Sequence, residues 1–387
     1  MRETHIAARR IRGLGFVVTQ PRSLKVAVFL PTLGGGGAER VMLNLAEAFD
    51  RHGLSVDIVV AKWVGELSQD VDDALRLVDL RAGRVARSLL PLARYLRTER
   101  PDCLIASLGH ANLAALAARW WAGSPTRIVV TEHLAVDAHA ADFRDTAFRA
   151  VSRWFYPRAD AIVAVSHGVA DSFAIATGVS RERIQVVYNP VLTPAYWQRV
   201  AATCTHPWFA AGQPPVVLGV GRLNPQKDFV TLIRAFARAR QRAPSRLLIL
   251  GEGPERASLE REVAANGLRL GEDVALPGFV GDPYPFMSSA GLFVLSSVRE
   301  GLPTVLIEAL AAGTRVVSTD CDSGPDEILA GGRYGKLVPV GDVDALSDAM
   351  VATLASPRGS APEAAWRPYT PETAVEGYLR AAGLVTS

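Results

Sequence analysis

The fold is decided by the stretch Arg299-Glu300-Gly301-Leu302-Pro303-Thr304-Val305-Leu306-Ile307-Glu308-Ala309-Leu310-Ala311-Ala312-Gly313. A short apolar run, Leu292–Leu295, precedes it and is typical of a buried strand. Pro303 fits the first turn of a helix, and Gly313 fits the left-handed position that ends many helices. The helix therefore begins at the carboxyl end of a strand, where open α/β sheets bind ligands and where free N–H groups favour an anion.

Two glutamates flank this predicted anion site. Glu300 lies in the loop before the helix, and Glu308 lies more than one turn inside it. Unpaired acids beside a phosphate would repel it, so we expect both carboxylates to accept hydrogen bonds from hydroxyl groups. A sugar diphosphate carries both kinds of group. The alternative is a solvated pair on a surface helix, which the apolar segment around Glu308 disfavours.

The spacing of this pair resembles a family signature. Glu300 and Glu308, with Gly-Leu-Pro after the first and Ala-Leu-Ala-Ala-Gly after the second, resemble the Glu-x7-Glu motif of the retaining glycosyltransferases of family 4, or glycosyl transferases group 1. The resemblance covers about residues 25–382. It implies an α/β protein of the GT-B fold, in which two Rossmann-like, doubly wound domains face each other across a cleft.

Length and composition agree with two ordinary globular domains. The chain has 387 residues, of which 49% are hydrophobic and 21% charged. The three cysteines are widely spaced and form no metal-binding pattern, which fits a cytoplasmic protein with reduced thiols. The net charge of +3 permits a phosphorylated substrate or an anionic membrane surface but is too small to indicate nucleic acid binding.

The first 24 residues form a basic extension with Arg2, Arg9, Arg10 and Arg12. Its apolar patch is too short for a secretory signal, and the chain has no run of 18 apolar residues that would span a bilayer. A disordered tail is one interpretation, and a segment touching anionic lipid is the other. We therefore expect a cytoplasmic protein and leave open a peripheral position at the inner face of the cell membrane.

The first domain is predicted over residues 25–205. Lys25–Leu30 is typical of a buried parallel strand, and four glycines follow before a helix that ends near His52. Among these glycines, Gly36 and Gly37 would allow a ligand close to the backbone. The pattern is not a dinucleotide fingerprint because Glu39 stands where the last glycine would be. Helical patterns such as 85–97 and 143–156 separate several further strand-like runs, and this alternation predicts a doubly wound sheet. The strand-like runs are 56–60, 75–80, 103–107, 128–131 and 161–165.

His133 follows the strand predicted at 128–131 and should lie at the mouth of the sheet. A lone histidine is usually an ordinary polar residue, so its position leaves a structural and a functional role equally open. Ser166 follows the next strand and begins a helix, where an N-cap is favoured over a nucleophile.

The second domain is predicted over residues 206–365, after a weakly patterned hinge, and a last helix within 366–387 would cross back to the first domain. Its first strand leads into a polar loop with Arg222 and Lys227, which resembles the diphosphate-binding loop of the family. The segment containing Val280 resembles, more loosely, the part of the family that contacts the nucleotide base.

The resemblance implies a retaining, metal-independent hexosyltransferase with a nucleotide-sugar donor, for which we expect UDP. Glu308 would bind the ribose, Glu300 the transferred sugar, and His133 the reacting centre. The diphosphate would be bound by two cations and by the start of the helix: Arg222, Lys227, Gly301, Leu302, Pro303 and Thr304. We expect no metal or other cofactor, and we interpret Asp70-x-Asp72 and Asp342-x-Asp344 as turns or helix caps.

The acceptor is expected to be a lipid-linked saccharide or a precursor of a surface polysaccharide, because the Gly-Gly-Ala-Glu-Arg-Val string resembles family members that build such polymers. Two alternatives remain. One is a GT-B sugar epimerase or phosphorylase, and the other is a protein that binds a nucleotide sugar without catalysis.

Overall fold

The computed structural model describes residues 23–34, 36–69, 71–135, 143–357 and 359–385. All but the last two residues of the predicted basic extension lie outside this range, as does Asp70, so the expectations placed on them are not addressed by the structure. In the described part of the chain, no helix combines the length and the apolar character needed to cross a bilayer.

The first domain is built on a parallel sheet of seven strands in the order β3-β2-β1-β4-β5-β6-β7. Apolar residues fill most of these strands because helices cover both faces of the sheet. The strands are β1 (Lys25–Leu30), β2 (Ser55–Val60), β3 (Arg76–Asp79), β4 (Cys103–Ser107), β5 (Arg127–Glu132), β6 (Ala161–Ala164) and β7 (Ile184–Val186).

The second domain repeats this plan with six parallel strands in the order β10-β9-β8-β11-β12-β13. In both sheets the strand order reverses beside the first strand, and such a reversal opens a crevice at the carboxyl ends of the strands. The strands are β8 (Val216–Val220), β9 (Arg246–Leu250), β10 (Val274–Gly278), β11 (Leu292–Leu295), β12 (Val316–Thr319) and β13 (Lys336–Val338).

Helices alternate with the strands, as right-handed crossovers between parallel strands require. The first domain contains α1 (Gly37–Arg51), α2 (Leu89–Glu99), α3 (Gly109–Ala122), α4 (Phe143–Phe155) and α5 (His167–Thr177). Next come α6 (Pro194–Val200), α7 (Phe229–Arg242), α8 (Arg256–Ala265), α9 (Tyr284–Ser289), α10 (Thr304–Ala311), α11 (Pro325–Leu329), α12 (Val343–Ala355) and α13 (Pro371–Ala381). The two packed sheets confirm the α/β fold predicted from the sequence.

The chain passes between the domains twice, and the two passages touch. After β7 the chain enters α6, which packs against α9 of the second domain. Near the end it returns, and α13 packs against α1 in the hydrophobic core of the first domain. Where the passages meet, the backbone N–H groups of Val191 and Leu192 donate to the carbonyl of Tyr369 at 2.9 and 3.2 Å.

The helix expected from the apolar pattern of residues 85–97 begins later than predicted. Residues Val85–Arg87 form a short 3-10 turn, and α2 starts at Leu89. The hydroxyl of Ser88 donates to the carbonyl of Val85 at 2.6 Å, and this local bond competes with the first turn of an α-helix.

Candidate functional site

Two loops of the second domain meet at the site because β8 and β11 are neighbours in the sheet. The loop after β8 carries Lys227 and the loop after β11 carries Glu300. The Lys227 Nζ lies 2.6 Å from the Glu300 Oε1, and both side chains are largely shielded from solvent. The Ser296 hydroxyl donates to the Lys227 carbonyl at 2.7 Å, and the amide of Gln226 donates to the Arg299 carbonyl at 2.8 Å. These bonds hold the cation and the carboxylate in a fixed relation.

Gly301 brings this loop against the first domain. A Cβ atom at Gly301 would overlap the carbonyl oxygen of His133, so only glycine permits this approach. Leu302 is buried, Pro303 is the N-cap of α10, and Thr304 is its first residue. The free N–H groups at the start of α10 therefore lie beside the point where the two domains touch.

His133 follows β5 at the carboxyl edge of the first sheet and is buried. Its Nε2 lies 3.2 Å from the hydroxyl of Thr131, while its Nδ1 has no hydrogen-bond partner among the described residues. Burial lowers the pKa of His133 to about 4, so the ring is neutral at neutral pH. A neutral imidazole with one unsatisfied nitrogen can exchange a hydrogen bond with a sugar hydroxyl.

Glu308 lies inside α10, facing the domain junction. Burial raises the pKa of its carboxyl to about 7, and the positive charge of Arg40 at the start of α1 opposes this shift. The hydroxyl of Tyr196 donates to the backbone carbonyl of Glu308 at 2.7 Å, and Tyr196 packs edge-on against Tyr284 with ring centroids 5.1 Å apart. Aromatic side chains from both sides of the hinge therefore fix the position of this glutamate.

The other predicted site residues lie around the same crevice with less contact to one another. Arg222 follows β8 and is exposed, and Val280 follows β10 and is partly buried. Gly36 is the N-cap of α1, and a Cβ there would overlap the carboxylate of Glu39. At Gly37 a Cβ would meet no described atom within 4 Å, so the backbone at the start of α1 is open to solvent.

The described residues contain no group of three or more metal-ligating side chains that could hold a metal ion. Asp342 is the N-cap of α12, where its carboxylate accepts the Ala345 N–H at 2.9 Å, as the sequence predicted. Asp344 forms an ion pair with Arg238.

Each of the two domains matches a known protein family. Residues 35–193 match the family described as Glycosyltransferase Family 4, and residues 214–356 match Glycosyl transferases group 1. The chain is 30% identical over 325 residues to the lipopolysaccharide core biosynthesis glycosyltransferase LpsE of Rhizobium meliloti, covering 81% of this chain and 84% of LpsE. This chain belongs to the group 1 glycosyltransferases.

Other similar proteins agree with this membership. A Campylobacter jejuni N-acetylgalactosaminyltransferase whose name gives a diphospho-undecaprenol substrate is 29% identical over 82% of this chain and 86% of its own length. Among solved structures, Anabaena HepE in complex with UDP and glucose superposes with a TM-score of 0.72 at 19% identity, covering 94% of this chain and 100% of HepE. The latter likeness shows the GT-B fold alone.

Glu132 and Glu327 are two acids near this glycosyltransferase site to which the sequence analysis assigned no role. Glu132 precedes His133 and is buried, and its Oε1 accepts hydrogen bonds from the Asn112 amide at 2.9 Å and from the Tyr156 hydroxyl. Burial raises the pKa of Glu132 to about 7, although these two hydrogen bonds oppose the shift. Its place at the end of a buried strand is the signal in the sequence that could have drawn attention to it.

We predict that Glu132→Gln stabilises the protein increasingly as pH rises. A carboxyl with a raised pKa favours the folded state below pH 4.5, and this contribution is lost as pH rises to about 7. The free energy of unfolding of Glu132→Gln should therefore exceed that of the wild type by about 3 kcal/mol at pH 8 and by much less at pH 4.5.

Urea unfolding across this pH range measures the difference. Glu182→Gln serves as the control, since Glu182 is an exposed glutamate of the same domain. A difference between Glu132→Gln and wild type that stays constant with pH would contradict the assignment.

Proposed function

We propose that this glycosyltransferase transfers a hexosyl group from a UDP-sugar to a lipid-linked saccharide, with retention of anomeric configuration and without a metal ion. The observation that carries the proposal is the meeting of Gly301 with the carbonyl of His133, since it places a histidine with an unsatisfied nitrogen beside a helix start, a lysine and a carboxylate. Each of these groups matches a different part of a nucleotide sugar.

The diphosphate is assigned to Lys227 and the start of α10. As the bond from the sugar C1 to the diphosphate oxygen breaks, negative charge develops on the leaving phosphate. The Lys227 ammonium and the free N–H groups of Thr304 and Val305 stabilise that charge. Exposed Arg222 supplies a second cation in the same loop. In this proposal protein charges take the place of a divalent metal.

The sugar is assigned to Glu300 and His133, and the ribose to Glu308. The acceptor oxygen forms its bond to C1 on the face that the diphosphate leaves, and its proton passes to the departing phosphate. Glu300 is held at 2.6 Å by Lys227, which leaves its second oxygen for a sugar hydroxyl. His133, neutral at the pH of the cytoplasm, accepts or donates a hydrogen bond at its Nδ1.

Similar proteins support the choice of UDP as the nucleotide and of a lipid-linked saccharide as the acceptor. The solved HepE complexes contain UDP, with glucose or as UDP-glucose, and two Campylobacter jejuni relatives have names that give undecaprenol-linked diphosphate substrates. These names describe those proteins, and we extend the same chemistry to this chain as a proposal.

The first test is a screen of UDP-sugars with an undecaprenyl diphosphate-linked saccharide, with and without excess chelator. We expect transfer at an equal rate in both conditions, and an α-linked product from an α-linked donor by NMR. Turnover that is lost with chelator and restored only by magnesium or manganese would refute metal independence. A product of opposite anomeric configuration would refute retention.

We predict different kinetic effects for the two glutamates. The ribose is unchanged in the reaction, so Glu308→Gln should raise the donor KM by a factor corresponding to about 1.5–3 kcal/mol, with little effect on kcat. The sugar gains positive character in the transition state, so Glu300→Gln should lower kcat more than it raises KM. Initial rates at varied donor concentration measure both effects, and the reverse pattern would overturn the assignment.

A peripheral position at the membrane is supported by an exposed face of the first domain. Trp120, Trp121 and Trp154 are 79%, 56% and 68% exposed, at the ends of α3 and α4. The Arg158 guanidinium lies 4.8 Å from the ring centre of Trp154, and Arg153 is also exposed on α4. Tryptophan and arginine together are typical of segments that bind the interface of anionic membranes. We call these five residues the aromatic–basic face.

We predict that the double variant Trp120→Ala/Trp154→Ala loses about thirtyfold in binding to vesicles of phosphatidylglycerol, since each indole contributes about 1 kcal/mol of interfacial burial. Co-sedimentation measures this binding, and vesicles of phosphatidylcholine should bind the wild type weakly. Trp63→Ala is the control for loss of an exposed indole elsewhere, because Trp63 is 50% exposed and follows β2 at the other end of the sheet. Equal loss of vesicle binding in the control and in the double variant would contradict a membrane-binding role of the aromatic–basic face.

A further inference from the structure

A carboxylate of the second domain binds the start of a helix in the first. Glu327 lies in α11, and its two oxygens accept the backbone N–H groups of His167 and Gly168 at 3.0 and 2.9 Å. These are the first two residues of α5. The hydroxyl of Tyr188, also in the first domain, lies 3.3 Å from the same carboxylate. Glu327 thus makes three contacts across the cleft between the domains.

The backbone N–H groups at the start of α5 find their hydrogen-bond acceptors in both domains. Ser166 is the N-cap and its hydroxyl oxygen accepts the Val169 N–H at 3.1 Å, which leaves the first two N–H groups of the helix without a partner in their own domain. Glu327 supplies the acceptors for both. A negative charge at this position is also favoured by the helix dipole.

The contacts around Glu327 extend to Gly301, the loop residue that meets His133. The hydroxyl groups of Ser166 and Ser323 both donate to the carbonyl of Gly301, at 2.9 and 2.8 Å. Ser166 belongs to the first domain, and Ser323 to the loop that leads into α11. The backbone of Gly301 is therefore held on one side by these hydroxyls and on the other by the close approach to His133.

We propose that Glu327 is a positioning residue that holds the two domains closed, so that the donor loop at Gly301 meets His133. Its carboxylate touches no reacting group, and it acts by stabilising the arrangement in which the site is complete. This role of Glu327 in domain closure rests on the proposed function only where kcat is measured.

Gly168 offers an independent way to disturb the same contact. A Cβ at Gly168 would lie 2.7 Å from the Ser323 hydroxyl oxygen and 2.9 Å from the Asp322 carbonyl oxygen. Both distances are shorter than real Cβ atoms show, so an alanine there would push the domains apart while leaving Glu327 intact. The backbone of Gly168 is not among the left-handed positions, and the helix itself therefore tolerates alanine.

The experiment compares Glu327→Gln and Gly168→Ala with Asp326→Asn. Asp326 is an exposed neighbour in α11, so its variant removes the same charge without touching the first domain. Spin labels on Glu182→Cys and Gln241→Cys, in a Cys204→Ser background, report the distance between the domains. The other two cysteines, Cys103 and Cys321, are buried.

Without ligand, we expect Glu327→Gln and Gly168→Ala to shift the distance distribution to longer values, and Asp326→Asn to match the wild type. In the transfer assay kcat should fall about tenfold for Glu327→Gln, the scale of a lost charge-assisted hydrogen bond. A similar fall is expected for Gly168→Ala, the second cleft variant, because its Cβ opens the same contact. UDP affinity should change less than about twofold, since the nucleotide is assigned to the second domain.

Wild-type distances and kcat in both cleft variants would overturn the proposal, as would equal opening in Asp326→Asn. Opening of the cleft variants together with no transfer by the wild type from any UDP-sugar would leave domain closure standing and refute the proposed function instead. The label distances thus separate the two failures.

Discussion

The contact between the backbone of Gly301 and the carbonyl of His133 is the constraint on which the candidate site depends. Any side chain at Gly301 would occupy the place of the carbonyl oxygen, so the approach requires glycine whatever the rest of the loop contains. The neighbouring Lys227–Glu300 pair belongs to the second domain alone and survives any movement between the domains. The relation of this pair to His133 exists only while the domains are in contact.

Buried acids show how the fold holds polar groups at this junction. Glu132 and Glu308 both have a pKa raised to about 7, the first beside Asn112 and Tyr156, the second facing Arg40. Keeping an ionisable group in such surroundings costs free energy at neutral pH, and pKa shifts of this kind cluster at functional sites. Both acids lie within a residue of the site or inside its helix, where strain of this kind is commonly found.

The sequence predicted strands and helix ends well because both depend on residues that are close together in the chain. The strand Leu292–Leu295 and the left-handed Gly313 after α10 were both predicted and are both observed. The same reasoning failed at residues 85–88, where one serine hydroxyl favours a 3-10 turn over the first turn of a helix. Periodicity contains no information about a competing hydrogen bond of this kind.

Contacts between distant residues could not be predicted in the same way. Lys227 and Glu300 were each recognised as candidate site residues, but their ion pair follows from β8 and β11 being neighbours, which only the folded sheet establishes. Glu327 lies 139 to 160 residues along the chain from its partners in the first domain. No pattern of one segment could identify an interaction whose other half is so remote.

The two passages of the chain between the domains determine which relative motions are available. A single linker would let one domain swing in any direction about its attachment. Here the backbone near Val191 is bonded to that at Tyr369, and the rings of Tyr188 and Tyr369 lie 5.0 Å apart, so both passages cross at one place. Two adjacent crossings favour a hinge motion, in which the domains rotate about one axis, over a shear motion, in which they slide past each other. We therefore expect the cleft to open along a single arc and to be widest on the side opposite these two passages.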